Sequence, residues 1–69
     1  MSQFPSIQAG RLLRALQRAG WVEVRCVGSH RTLQRSDAVM TFAFHLSDEV
    51  GPRMVARVCR ASGMNPEDL

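Results

Sequence analysis

One segment of the sequence, Gly28-Ser29-His30, combines a proton-transferring side chain with an open backbone. An imidazole accepts or donates a proton near neutral pH, as a general base or acid must. The glycine lets a phosphodiester backbone approach without meeting a side chain, and Ser29 adds a hydroxyl. We therefore expect His30 to act on RNA, whose 2′-hydroxyl is an internal nucleophile close to its phosphorus. The tripeptide alone leaves open an ordinary surface histidine after a turn.

Positive charge that can hold phosphate is concentrated in the first half of the chain. Residues 1–35 carry +5 and residues 36–69 carry −2, within a total of +3 at pH 7. All nine basic residues are arginines, whose planar guanidinium binds phosphate through paired hydrogen bonds. A general preference for arginine codons would produce the same composition. We expect phosphate contacts from the arginines near His30 and from the first helix, namely Arg25, Arg31, Arg35, Arg11 and Arg14.

Two further features have weaker claims to a role. His45 stands at the end of a predicted strand, where a solvent-facing histidine is ordinary, although it can share a face with His30 if their strands are neighbours. Arginines also recur along one side of each predicted helix, which is typical either of a solvated face or of phosphate contacts. They are Arg11, Arg14 and Arg18 in the first helix, and Arg53, Arg57 and Arg60 in the second.

Length and composition limit the kinds of protein this chain can be. A chain of 69 residues holds one domain with a thin core, which suits a shallow surface and a polymeric substrate better than a deep pocket. Cys26 and Cys59 form no zinc-binding pattern, so we expect buried free thiols, no metal and no cofactor. The sequence has neither a signal peptide nor a membrane-spanning run, which predicts a cytoplasmic protein without a membrane partner.

Apolar residues at three- and four-residue steps predict two helices. The first begins near Ile7 and ends at a Gly20 cap, and the second follows the break at residues 48–52 and ends at Gly63. Their expected inner stripes are Ala9, Leu12, Leu13, Leu16 and Ala19, and Val55, Val58, Cys59 and Ser62. Residues 1–6 contain Pro5 without periodicity, so we expect a flexible lead-in before one domain at 7–69.

Between the helices, alternating patterns predict three antiparallel strands. The first is expected to bury Val22, Val24 and Cys26, and a tight turn at residues 28–29 leads into the second. In the second strand, Leu33 facing the core would place Arg31 and Arg35 on its side. His30, Thr32 and Gln34 would lie on the opposite side. The third strand is expected to place Met40, Phe42 and Phe44 on one apolar face.

The order of elements predicts an α+β fold. Since each strand has one apolar face and each helix one apolar stripe, both helices must cover the same face of a three-stranded antiparallel sheet. This two-layer α-β-β-β-α arrangement is that of a double-stranded-RNA-binding-like domain. It leaves one sheet face open, and His30 is predicted to lie there.

Over residues 8–69, the chain resembles the HicA-type (YcfA-like) toxin family of bacterial toxin–antitoxin pairs. The resemblance is carried by LLRALQRAGW, VRCVGSH, FAFH and GPRMVARVCRASGMNPEDL. It implies a metal-independent messenger-RNA interferase with His30 as catalytic residue, Gly28 and Ser29 beside the RNA, and a HicB-type antitoxin as partner. The chain departs from the family at Gln8, Gly10 and Ala43, where a helix cap, a basic residue and a proline are usual.

Two other functions are compatible with the residues. The same fold can recognise RNA by shape and backbone contacts without performing chemistry, in which case the RNA stays intact. Alternatively, the basic face can dock an acidic protein partner and never bind RNA.

Overall fold

The computed structural model describes residues 4–69, which form two α-helices, five strands and one short 3₁₀ helix. The three-stranded sheet has the order β2-β3-β4, and both of its pairings are antiparallel. The elements are β1 (Ile7–Gln8), α1 (Ala9–Arg18), β2 (Val22–Val27), β3 (His30–Arg35), β4 (Ala38–Ala43), β5 (Glu49–Val50), α2 (Pro52–Ser62) and the 3₁₀ helix (Pro66–Asp68).

The core lies between one face of this sheet and the two helices. Leu33 at the centre of β3 is fully buried, and its register partner Met40 and the neighbouring Phe42 on β4 are nearly so. The helices contribute the expected stripes, with Leu12, Leu16, Val55 and Val58 among the buried residues. The predicted two-layer α-β-β-β-α fold, with both helices on one face, is confirmed. Trp21 is also a core residue, 2% exposed.

Helix α1 is capped by backbone groups at both ends. Its N-cap, Gln8, makes no side-chain hydrogen bond, but the N–H groups of Ala9 and Gly10 donate to the carbonyls of Asp48 and Leu46. The turn after β4 thus supplies what a Ser or Thr cap provides elsewhere. At the other end Gly20 takes a positive φ of 99°, as expected of a glycine that ends a helix.

A two-stranded antiparallel sheet that the sequence analysis did not predict joins the starts of the helices. Ile7 pairs with Val50, and Gln8 pairs with Glu49. Because each strand has only two residues, neither displays a periodic pattern. The pairing holds the N-terminus of α1 close to that of α2.

The predicted burial of β2 is wrong. Val22 and Val24 are 60% and 53% exposed, and Cys26 is an exposed free thiol. β2 is an edge strand, and a bulge between Glu23 and Arg25 breaks its alternation. The register pairs Glu23 with Leu33, so Glu23 lies on the helix-facing side of the sheet where the valines were expected.

Cys59 is buried in α2, as predicted for the thiols. Burial raises the pKa of Cys59, and the negative charge of Asp68 raises it further. Burial therefore keeps this thiol protonated and unreactive.

The structure describes only the second half of the predicted lead-in over residues 1–6. Residues 1–3 lie outside the described residues, and the prediction of flexibility stays a prediction there. Phe4 is half-buried and packs against the core. None of the helices in residues 4–69 has the length and apolar composition of a membrane-spanning segment.

Candidate functional site

His30 is the first residue of the central strand, directly after the turn from β2. Gly28 has a positive φ of 60°, and Ser29 does not, which is the pattern of a two-residue hairpin turn with glycine in its first position. A side chain at Gly28 would meet no atom within 4 Å. The backbone before His30 is therefore open to approach, as the sequence predicted.

A shallow hollow of about 290 Å³ lies at this end of the open sheet face, lined by Arg25, Val27, His30 and Thr32. The register explains this grouping, because Val27 pairs with His30 and Arg25 pairs with Thr32. Paired residues project to the same face of a sheet, so all four side chains lie on the face that the helices leave uncovered. The structure thus brings together two of the predicted site residues, His30 and Arg25.

Two hydrogen bonds to β4 and the residue after it fix the β3 side of the hollow. The hydroxyls of Thr32 and Thr41 lie 3.2 Å apart across β3 and β4. The N–H of Phe44 donates to the Ser29 carbonyl at 2.9 Å, so the end of β4 holds the turn that precedes His30. Ser29 itself is half-buried.

Arg31 is turned away from His30. Its Nη1 donates to Glu23 Oε1 at 2.7 Å, and its guanidinium lies over the Phe44 ring at 5.7 Å. The hydrogen bond to Glu23 raises the pKa of Arg31. Its contacts are those of a structural residue on the helix-facing side of the sheet, not of a phosphate ligand at His30.

Arg35 lies on the same side and contacts both helices. Its guanidinium stands over the Trp21 ring at 4.9 Å and donates to the carbonyls of Ala19 and Ser62. Those carbonyls belong to the C-terminal ends of α1 and α2, where a cation interacts favourably with the helix dipole. Parity about Leu33 predicted this side for both arginines, and the geometry does not favour their contact with a phosphate at His30.

The structure does not bring the remaining predicted residues into the hollow. Arg11 and Arg14 are exposed on α1. The first N–H groups of α1 donate to carbonyls of the turn after β4, so this end of the helix lies at the same end of the sheet as His30. Arg11 also donates to the Leu69 carbonyl at 3.4 Å. His45 is exposed in the turn after β4, and its backbone N–H donates to Asp48. It does not line the hollow.

Val27 and Thr32 are lining residues that the sequence analysis missed. Thr32 was predicted on the face of His30 but given no role, and Val27 was not placed. The two-residue turn at Gly28-Ser29 contained the missing signal, because it fixes Val27 opposite His30.

A helix, a three-stranded antiparallel sheet and a second helix, with both helices on one face, form a small α+β fold of the double-stranded-RNA-binding-like class. Within residues 4–69, no three His, Cys, Asp or Glu side chains are grouped as metal ligands would be. The family model described as HicA toxin of bacterial toxin–antitoxin matches residues 9–64, and the chain belongs to this family. The resemblance found in the sequence is confirmed. No curated protein and no solved structure matches the chain.

Proposed function

We propose that this toxin-family protein is a metal-independent endoribonuclease that cleaves messenger RNA in the cytoplasm, with His30 as general acid or base. A single observation carries the proposal: in a HicA-family chain, His30 and Arg25 line one hollow on the uncovered face of the sheet. We also propose that its partner is a HicB-type antitoxin, since the family consists of toxins from toxin–antitoxin pairs.

The reaction requires a proton acceptor or donor and a cation at one phosphate. Acting as base, the neutral imidazole of His30 takes the proton from the 2′-hydroxyl while that oxygen bonds to phosphorus. The bond from phosphorus to the 5′-oxygen breaks, the leaving oxygen takes a proton from water, and His30 afterwards returns its proton to the solvent. Arg25 stabilises the negative charge that gathers on the phosphate oxygens. The products are a 2′,3′-cyclic phosphate and a 5′-hydroxyl.

We expect the purified protein to cleave single-stranded RNA in the presence of a metal chelator. The measurement is the chemistry of the new ends, read by mass spectrometry, with a DNA strand of the same sequence as the control that lacks the 2′-hydroxyl. Cleavage of the DNA, or cleavage abolished by the chelator, would contradict the mechanism. Binding that leaves the RNA intact would instead favour the RNA-binding module.

Arg25 provides a separate test of the hollow. We expect Arg25→Gln to lower kcat/KM by about ten- to a hundredfold, because the variant loses a charge-assisted hydrogen bond to phosphate. Arg60→Gln is the matched control, since it removes the same charge from an exposed position on α2. The folded fraction of both variants should equal that of the parent by circular dichroism. Equal losses of activity in the two variants would show that only net charge matters.

A further inference from the structure

The outer edge of β4 has no role in the proposed reaction. β4 is the last strand in the order β2-β3-β4, and no backbone hydrogen bond of Ala38–Ala43 is found within residues 4–69 apart from its pairing with β3. This strand contains no charged residue and no proline, and its register with β3 is unbroken. Such an edge is a template for pairing with another strand.

The opposite edge of the sheet is protected. β2 carries Glu23 and Arg25, and the bulge between them interrupts its line of backbone groups. Charges and bulges are the usual means by which proteins prevent edge pairing. The contrast between the two edges indicates that β4 is kept open for a partner.

A narrow groove of about 40 Å³ runs between β4 and α2. Its floor is apolar, formed mainly by Met40, Phe42 and Val58, which are at most 8% exposed. A small groove with an apolar floor suits a short aliphatic side chain.

Arg57 gives the groove a positive charge. Arg57 lines this groove, and together with Arg53 and Arg60 it also lines a neighbouring depression on α2. All three side chains are exposed, and within residues 4–69 the one ion pair is that of Arg31 with Glu23. A partner that approaches along β4 therefore meets arginines that, among the described residues, form no ion pair with a carboxylate.

We propose that β4 accepts an extended segment of a partner protein as a fourth strand, with an aliphatic side chain over the groove and an acidic side chain at Arg57. A second copy of this chain fits less well, because it would bring two sets of these arginines to one seam. The proposal rests on membership of a toxin–antitoxin family, not on nuclease activity. Main-chain hydrogen bonds would supply the affinity, and the groove and Arg57 the selectivity.

The proposal can be tested with an end-blocked peptide of sequence TDTVTDT. In an added strand, its aspartates and valine would project to the side of Arg57 and the groove. We expect millimolar peptide to shift the backbone amide resonances of residues 38–43 in the isotope-labelled protein. The lysine peptide TKTVTKT should bind up to about fivefold more weakly, as expected for an exposed ion pair.

Variants and modified peptides separate strand addition from simple charge attraction. Arg57→Glu should reverse the preference between the two peptides, whereas Arg60→Glu, which removes an arginine that does not line the groove, should preserve it. Methylating the backbone nitrogens of alternate peptide residues removes the N–H donors along one edge of the peptide. Because only one edge pairs with β4, one of the two alternately methylated peptides should lose binding and the other should keep it.

Three results would overturn the proposal. The first is the absence of resonance shifts at millimolar peptide, and the second is equal binding of the two alternately methylated peptides. The third is a set of shifts at residues 38–43 that follow dimerisation of the protein or addition of RNA. The last would assign the edge to a second copy or to RNA. Because the readout is binding, failure of the nuclease mechanism would leave this result unaffected.

Discussion

Replacing His30 with alanine is expected to slow RNA cleavage by about 10²- to 10⁴-fold, the usual contribution of a positioned acid or base. His30 is exposed at the start of β3, so its removal leaves no cavity in the core. The thermal midpoint of the variant should therefore match that of the parent. The measurement is the initial rate on a fluorescent RNA, together with growth arrest on expression.

His45→Ala is the matched control for this prediction. His45 is also an exposed histidine, but it does not line the hollow that contains His30. We expect it to retain nearly full activity. A His30→Ala protein that still cleaves RNA at the parent rate would contradict the assignment, and partial recovery on adding imidazole would strengthen it.

Leu33→Ala is expected to lower the free energy of unfolding by about 2–5 kcal/mol, the range for truncating a buried leucine. Leu33 is fully buried at the centre of the middle strand. A core of this size rarely supplies more than about 3–5 kcal/mol, so the variant should retain only a small part of the parent's stability at 25 °C. Urea unfolding followed by tryptophan fluorescence would measure the change, because Trp21 is a buried core residue.

Val39→Ala tests whether the effect belongs to the core. Val39 lies on β4 beside the register partner of Leu33, but on the open face, where it is 59% exposed. This variant should stay within about 0.5 kcal/mol of the parent. Equal losses at the two positions would mean that the helices do not cover the face assigned to them.

The sequence predicted the fold where its patterns reflect burial directly. β3, β4 and both helices pack through the expected residues because their apolar side chains meet in one core. The pattern in β2 gave a wrong prediction of burial. Val22 and Val24 alternate with polar residues as buried side chains do, but they lie on an edge strand with a bulge. A bulge depends on the partner strand, and no local pattern reports it.

The candidate site was predictable in part. Residue chemistry and the family resemblance indicated His30, and pairing across the hairpin places Arg25 beside it. Charge alone could not distinguish Arg25 from Arg31, since that distinction depends on which face each side chain occupies. The groove between β4 and α2 is lined by residues far apart in the chain, so the sequence alone could not predict it.

The contacts of Arg35 have a consequence for how the protein comes apart. Its guanidinium joins the ends of both helices, at Ala19 and Ser62, to the end of the central strand. Because these contacts join three parts of the chain that are distant in sequence, we expect them to form late in folding. An interaction absent from the folding transition state acts mainly on the unfolding rate. We therefore expect removal of the Arg35 guanidinium to raise the unfolding rate more than it lowers the folding rate, so that the assembled domain persists for a shorter time.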